Sequence, residues 1–178
     1  VIDPRKTEAA EIADLWLPVR PGTDAALALG MINIIIKEDL YDHDFVDRWC
    51  YGFDELAERA AEFPVERVSE ITWVPEDKII AAARMLGNAK NSTLQWGVAV
   101  DMTREAMPAG QAILALWEIA GNPERPGGMI VAPEILSVAG GWGREVLGPI
   151  QEDKRIGIHD YPLYNFGFAV SQPDETVK

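Results

Sequence analysis

The apolar positions of the chain fall into two dense runs separated by amphipathic stretches. In the first, Leu27, Leu29, Met31, Ile32, Ile34, Ile35 and Ile36 leave almost no polar face. Thr23 and Asp24 precede it and Lys37 closes it, so the spacing predicts a helix over 24–37, capped by Thr23 and covered on nearly all sides. The second run opens at Pro108 and ends at Ala120, where Gly121-Asn122 supplies the stop. Between them the pattern predicts a helix from Asp42-His43-Asp44 through Cys50, a break at Gly52, a more amphipathic helix over 54–62 and a helical turn over 64–71. Pro75 sits well at the first position of a further helix to Leu86, with Ile79, Ile80, Ala83 and Met85-Leu86 as its stripe. A short helix is expected over 7–13.

Three short runs read differently. Val1-Ile2, Leu15-Trp16-Leu17 and 92–96 are bounded by Pro4, Pro18 and Gly97, as buried strands are. Strands alternating with helices predict an α/β fold, a three-layer Rossmann-like domain with a mainly parallel sheet over 1–122. From Pro123 the character changes. Gly127-Gly128, Gly140-Gly141, Gly143 and scattered prolines predict a loop-rich segment over 123–178 that leads to a neighbouring domain.

Composition narrows the partners. A chain of 178 residues, 48% hydrophobic, has one domain as its prior, and a net charge of -13 offers no footprint for nucleic-acid phosphates or an anionic membrane surface. No run approaches the roughly 20 apolar residues needed to span a bilayer, so no direct membrane insertion is expected. The single cysteine, Cys50, excludes a disulfide framework or a Cys-rich cluster built by this chain alone, and it reads as a small buried hydrophobe. His43 reads as helix-start polarity and His159 as a loop residue. The opening Val1-Ile2-Asp3-Pro4-Arg5 looks like the tail of a strand and a turn, so a piece of a larger protein is expected and no compartment is read from it.

Candidate chemistry gathers at the expected strand ends, where open α/β sheets bind ligands. Asp3-Pro4-Arg5 admits two readings: a turn with a surface charge pair, or a carboxylate that accepts from a ribose beside an arginine that grips a phosphate. Pro21-Gly22-Thr23-Asp24 does too. Thr23 and Asp24 can simply start a helix, or Gly22 can admit a ligand to the backbone while the Asp24 carboxylate accepts from a paired donor such as the N1–H and amino group of guanine. Gly97 is either a strand stop or a point of close backbone approach. Trp49, Trp73, Trp96 and Trp117 read as core. No Gly-rich dinucleotide fingerprint, Walker loop or Ser/His/Asp constellation is present.

Taken in order, the residues resemble a known family. Val1-Ile2-Asp3-Pro4-Arg5-Lys6-Thr7, Ala13-Asp14, Arg20-Pro21-Gly22-Thr23-Asp24-Ala25-Ala26-Leu27, Glu38-Asp39-Leu40-Tyr41-Asp42, Phe45-Val46, Trp96-Gly97 and Ala120-Gly121-Asn122-Pro123-Glu124-Arg125-Pro126-Gly127-Gly128 are similar to the large subunit of the bis-molybdopterin guanine dinucleotide oxidoreductases, the dimethyl sulfoxide reductase and formate dehydrogenase superfamily. The resemblance implies a domain that binds the guanosine end of a molybdopterin guanine dinucleotide carrying molybdenum or tungsten. Asp3, Pro4 and Arg5 would line the nucleotide site, Gly22 and Thr23 would shape it, Asp24 would pair with guanine, and Gly97 with Val98 would approach a pterin.

The same resemblance implies that the iron-sulfur cluster and the metal-ligating residue lie upstream. Its implied partners are the remaining domains of the large subunit and an iron-sulfur electron-transfer subunit. Past Gly128 the chain departs from formate dehydrogenases, and Gly140-Gly141-Trp142-Gly143 and Tyr161-Pro162-Leu163 look closer to the branch that holds acetylene hydratase and pyrogallol transhydroxylase. Without the resemblance, a non-catalytic α/β ligand-binding or regulatory domain fits the residues as well.

Overall fold

Helices account for the architecture of residues 1–129, which are the residues described by this computed structural model. They are α1 (Glu8–Ile12), α2 (Asp24–Lys37), α3 (His43–Trp49), α4 (Phe53–Ala61), α5 (Val65–Thr72), α6 (Glu76–Gly87), α7 (Val98–Asp101) and α8 (Ala106–Ile119). The Rossmann-like parallel sheet expected from the sequence is overturned. Among the described residues, β pairing is limited to two isolated parallel bridges, Ile2 with Leu17 and Pro123 with Met129.

The physical reason lies in where the backbone bonds go. At the first bridge the Leu17 N–H donates to the Val1 carbonyl (2.9 Å) and the Asp3 N–H to the Leu17 carbonyl (3.2 Å). Pro4 and Pro18 then remove the donors that would extend it. The 92–96 run forms no ladder; Ser92 donates its N–H to the Asn122 side chain and its carbonyl accepts from the Trp117 indole. The apolar pattern correctly reports burial, since Leu17 and Val19 join the core, but helices provide the cover.

That core surrounds α2, which α4, α5, α6 and α8 all contact. Leu27, Ala28 and the run from Gly30 to Ile35 are buried, as the missing polar face requires. Asn33 is the polar exception and satisfies its amide by donating to the Phe63 carbonyl at 3.0 Å. Gly30 lets α5 approach: a Cβ built there would lie 2.6 Å from Val68 Cγ2. At the far end, Arg84 of α6 grips Glu38 with two parallel bonds of 2.7 and 2.8 Å.

Most helix ends follow their local chemistry. Thr7 Oγ1 accepts from the Ala10 N–H and Asp42 Oδ1 from the Phe45 N–H, both as N-caps. Thr23 does not cap as expected; its hydroxyl donates to the Arg20 carbonyl at 2.7 Å. Pro108 lies in the first turn of α8, where its missing N–H costs no helical bond. The short α7 occupies a stretch expected to be loop.

Trp117 is buried, but Trp49 and Trp73 are 76% and 67% exposed, which corrects their expected place in the core. Trp73 ends α5 in the left-handed region (φ +63°), with the Arg20 guanidinium 4.8 Å over its ring. No helix among the described residues is long and apolar enough to cross a membrane. The expectations for His159, Gly140-Gly141-Trp142-Gly143, Tyr161-Pro162-Leu163 and the rest of 130–178 lie outside the described residues.

Candidate functional site

A cleft of about 540 Å³ opens beside the start of α2, within the roughly 300–1,000 Å³ range of small-molecule sites. One wall is the face of α2 formed by Asp24, Leu27, Ala28 and Met31. The others are Val1, Ile2, Leu15 and Leu17 around the first bridge, Ala82, Met85 and Leu86 of α6, residues 92–97, and Ile113, Leu116 and Trp117 of α8.

The turn into α2 places its first carboxylate on this cleft. Arg20 donates its N–H to the Thr72 carbonyl (2.8 Å), which ties the turn to the end of α5. The Arg20 carbonyl then accepts from the Thr23 N–H at 3.2 Å and its hydroxyl at 2.7 Å. Gly22, at φ +80°, supplies the left-handed step between them. Asp24 follows as the first residue of α2, half-buried, with no hydrogen bond or ion pair to its carboxylate among the described residues. The positive end of a long helix favours an anion there, and the carboxylate is free to accept.

Of the residues singled out in the sequence, Asp24 and Gly97 come together on the cleft lining. A Cβ built on Gly97 meets nothing within 4 Å, so a ligand has room against the backbone at that point. Gly22 and Thr23 shape the turn without lining the cleft. Asp3 turns its carboxylate to the Arg5 N–H (2.7 Å), as a local Asx turn does, and Pro4 and Arg5 are exposed off the lining. Val98, 70% exposed at the start of α7, also lies off it.

Two contributors were missed in the sequence. The polar and apolar alternation of Ser92-Thr93-Leu94-Gln95-Trp96 read as a strand, but these residues form a cleft wall. Asn122, 0% exposed, anchors that wall through Ser92; its signal was the Gly121-Asn122 pair, read as a helix stop and as part of the family resemblance but not as a contributor to the site.

A second cavity of about 400 Å³ includes Phe45, Trp49, Cys50, Tyr51 and Glu118 in its lining. Burial pushes the Glu118 carboxyl up from its ordinary value, and burial followed by the Glu118 charge raises the Cys50 thiol. Among the described residues no group of three or more His, Cys, Asp or Glu side chains could hold a metal ion.

The described residues thus form a helical unit whose central helix starts with a carboxylate on a cleft of about 540 Å³. Comparison with known proteins then gives its family. No family model matches the chain. Acetylene hydratase of Syntrophotalea acetylenica is 39% identical over 181 residues, covering 99% of this chain and 25% of that protein. The dimethyl sulfoxide reductase DmsA of Escherichia coli is 36% identical over 149 residues, covering 72% of this chain and 18% of its own. The solved structure of acetylene hydratase from Pelobacter acetylenicus matches with a TM-score of 0.71 and 46% identity, over 75% of this chain and 18% of that one. The chain belongs to the molybdopterin oxidoreductase superfamily. It spans about a quarter of the acetylene hydratase and less of the other relative.

Proposed function

We propose that the cleft holds the guanosine end of a molybdopterin guanine dinucleotide and that this stretch of a molybdenum or tungsten enzyme positions the cofactor. The observation that carries the reading is the convergence of the unpaired Asp24 carboxylate and the open Gly97 backbone on one cleft. A carboxylate is acceptor-only and presents two oxygens side by side, which matches the N1–H and amino group of guanine. Adenine sets an acceptor beside its single amino donor and cannot fill both.

The residues present therefore fit the nucleoside end of the group, with Asp24 on the base and Gly97 giving room to the remainder. When bound, the group supplies the metal chemistry at its other end. This chain's part is orientation, since an anchored far end limits the poses in which the metal can be presented. Asp3, Pro4, Arg5 and Val98 are not needed for this pairing.

Identity to acetylene hydratase over nearly the whole chain, against 72% of it for the dimethyl sulfoxide reductase, favours the branch that holds acetylene hydratase. The remaining domains of a large subunit and an iron-sulfur electron-transfer subunit complete the reading as partners. Titration calorimetry of the chain with GDP and ADP tests it. A preference for GDP is expected, and equal affinity for the two nucleotides counts against the guanine pairing.

A further inference from the structure

The 92–97 wall of the cleft has no ladder to hold it. Residues 93–96 make no hydrogen bond of their own among the described residues, and the next main-chain bond is the Val100 N–H to the Gly97 carbonyl at 3.1 Å. The wall is fastened at one end instead. Ser92 donates its N–H to Asn122 Oδ1 at 2.7 Å, and its carbonyl accepts from the Trp117 indole N–H at 3.1 Å. Asn122 Nδ2 donates to the Trp117 carbonyl at 3.2 Å. These three bonds close a ring of Ser92, Asn122 and Trp117 that ties the wall to the last turns of α8.

The surroundings hold Asn122 firmly in that ring. Gly121, at φ +71°, turns the chain out of α8, and a Cβ there would collide with the Asp42 side chain. On the other side, a Cβ on Gly128 would run into the Asn122 carbonyl oxygen, so the turn can fold back onto Asn122 only with glycine at that place. Both polar atoms of the amide are spent within the ring, and the side chain is fully enclosed. A carbonyl and an amide nitrogen at fixed positions make Asn122 a spacer as well as a stop for the helix.

We propose that Asn122 is a positioning residue of the cleft: through the main chain of Ser92 it fixes the 92–97 wall opposite α2 and so sets the gap in which a ligand is held. The ring is the wall's fastening whatever the ligand; only the affinity measurement below rests on the cleft being a guanine nucleotide site.

The test is hydrogen–deuterium exchange of the full chain, read by mass spectrometry with and without GDP, for the parent, Asn122→Ala and Trp117→Phe. The second variant keeps an aromatic ring and leaves Asn122 in place while removing the indole N–H bond to Ser92 with part of the ring, so it carries the test if Asn122→Ala fails to fold. The Ser92 amide, hydrogen-bonded in the parent, is expected to exchange about tenfold faster or more in either variant while those of α2 keep the parent rate, as for a local opening after loss of one buried hydrogen bond. GDP affinity is expected to fall at least about fivefold, because the wall no longer waits in place.

Exchange that rises equally in α2 and at Ser92 marks a general loss of stability and overturns the proposal. So does unchanged exchange at Ser92, or selective loosening with the parent's GDP affinity intact. If the parent binds no GDP while the loosening stays selective, the guanine reading falls and the fastening role stands.

Discussion

Gly30→Ala probes the contact on which the helical core depends. A Cβ at this position would lie 2.6 Å from Val68 Cγ2 and 3.0 Å from Cγ1. Carbon atoms in favourable contact sit about 3.5–4.0 Å apart, so the new methyl overlaps by roughly 1 Å. Val68 is fully buried, and its branched side chain has essentially one rotamer in a helix, so it cannot swing away. Overpacking of this kind costs about 1–3 kcal/mol, while replacing a helical glycine by alanine returns about 1 kcal/mol.

The single variant is therefore expected to lose up to about 2 kcal/mol, with the two effects partly masking each other. Val68→Ala separates them. By itself it removes two buried methyl groups, at about 0.8 kcal/mol each plus a cavity term. In its presence Gly30→Ala is relieved of the overlap with both Cγ atoms and meets only the residue-68 Cβ at 3.1 Å, so it keeps most of the helix gain and the double variant is expected to be up to about 1 kcal/mol more stable than Val68→Ala. Urea unfolding of the four proteins gives the cycle, with the midpoint moving at constant slope. If Gly30→Ala stabilises the parent by as much as it stabilises Val68→Ala, the two positions are uncoupled and the packing of α2 on α5 is wrong.

Two carboxyl groups give pH-dependent outcomes of opposite sign. Burial pulls Asp42 upward, but the Phe45 N–H and the bond and charge of Arg125, with His43, outweigh it and hold the group below its ordinary value. Its stability contribution is present above the ordinary carboxyl range near pH 4 and is lost as pH falls through the lowered value; in Asp42→Asn, acid titration of thermal stability should lack that part of the fall. Glu118 is raised by burial, so its charged form opposes folding at neutral pH and the penalty fades as pH falls toward the ordinary value. Glu118→Gln should raise the melting temperature at pH 7 and make little difference below about pH 4, and an equal effect at both pH values would refute the assignment.

The helices were legible because their signals are local. The unbroken apolar face of α2, the Asp42 cap and the breaks at Gly52 and Gly121 act within a turn or two of where they stand. The sheet was misread because Val1-Ile2, Leu15-Trp16-Leu17 and 92–96 are short apolar runs, in which burial and extended pairing look alike. Leu17 is indeed buried, yet its pairing stops at one bridge between two prolines.

At the site, Asp24 and Gly97 were visible as residue types at element ends. Their meeting on one cleft, and the absence of Asp3, Arg5 and Val98 from its lining, depend on contacts far apart in the chain. Asn122 was hidden for the same reason: its bond to Ser92 spans 30 residues, and no local pattern encodes it. Exposed Trp49 and Trp73 show the converse, since an aromatic residue in an apolar run carries no mark of which side it faces.

The guanine pairing of Asp24 can be measured directly by comparing GDP, inosine diphosphate and ADP on the parent and on Asp24→Ala by titration calorimetry. Inosine lacks the amino group and retains N1–H, so it removes one of the two bonds. With each charge-assisted bond contributing about 1.5–3 kcal/mol, the parent is expected to bind GDP roughly tenfold or more tighter than inosine diphosphate, with ADP weakest. Asp24→Ala is expected to bind all three alike. A parent that does not distinguish GDP from ADP, or a variant that keeps the parent's preference, would contradict the central claim.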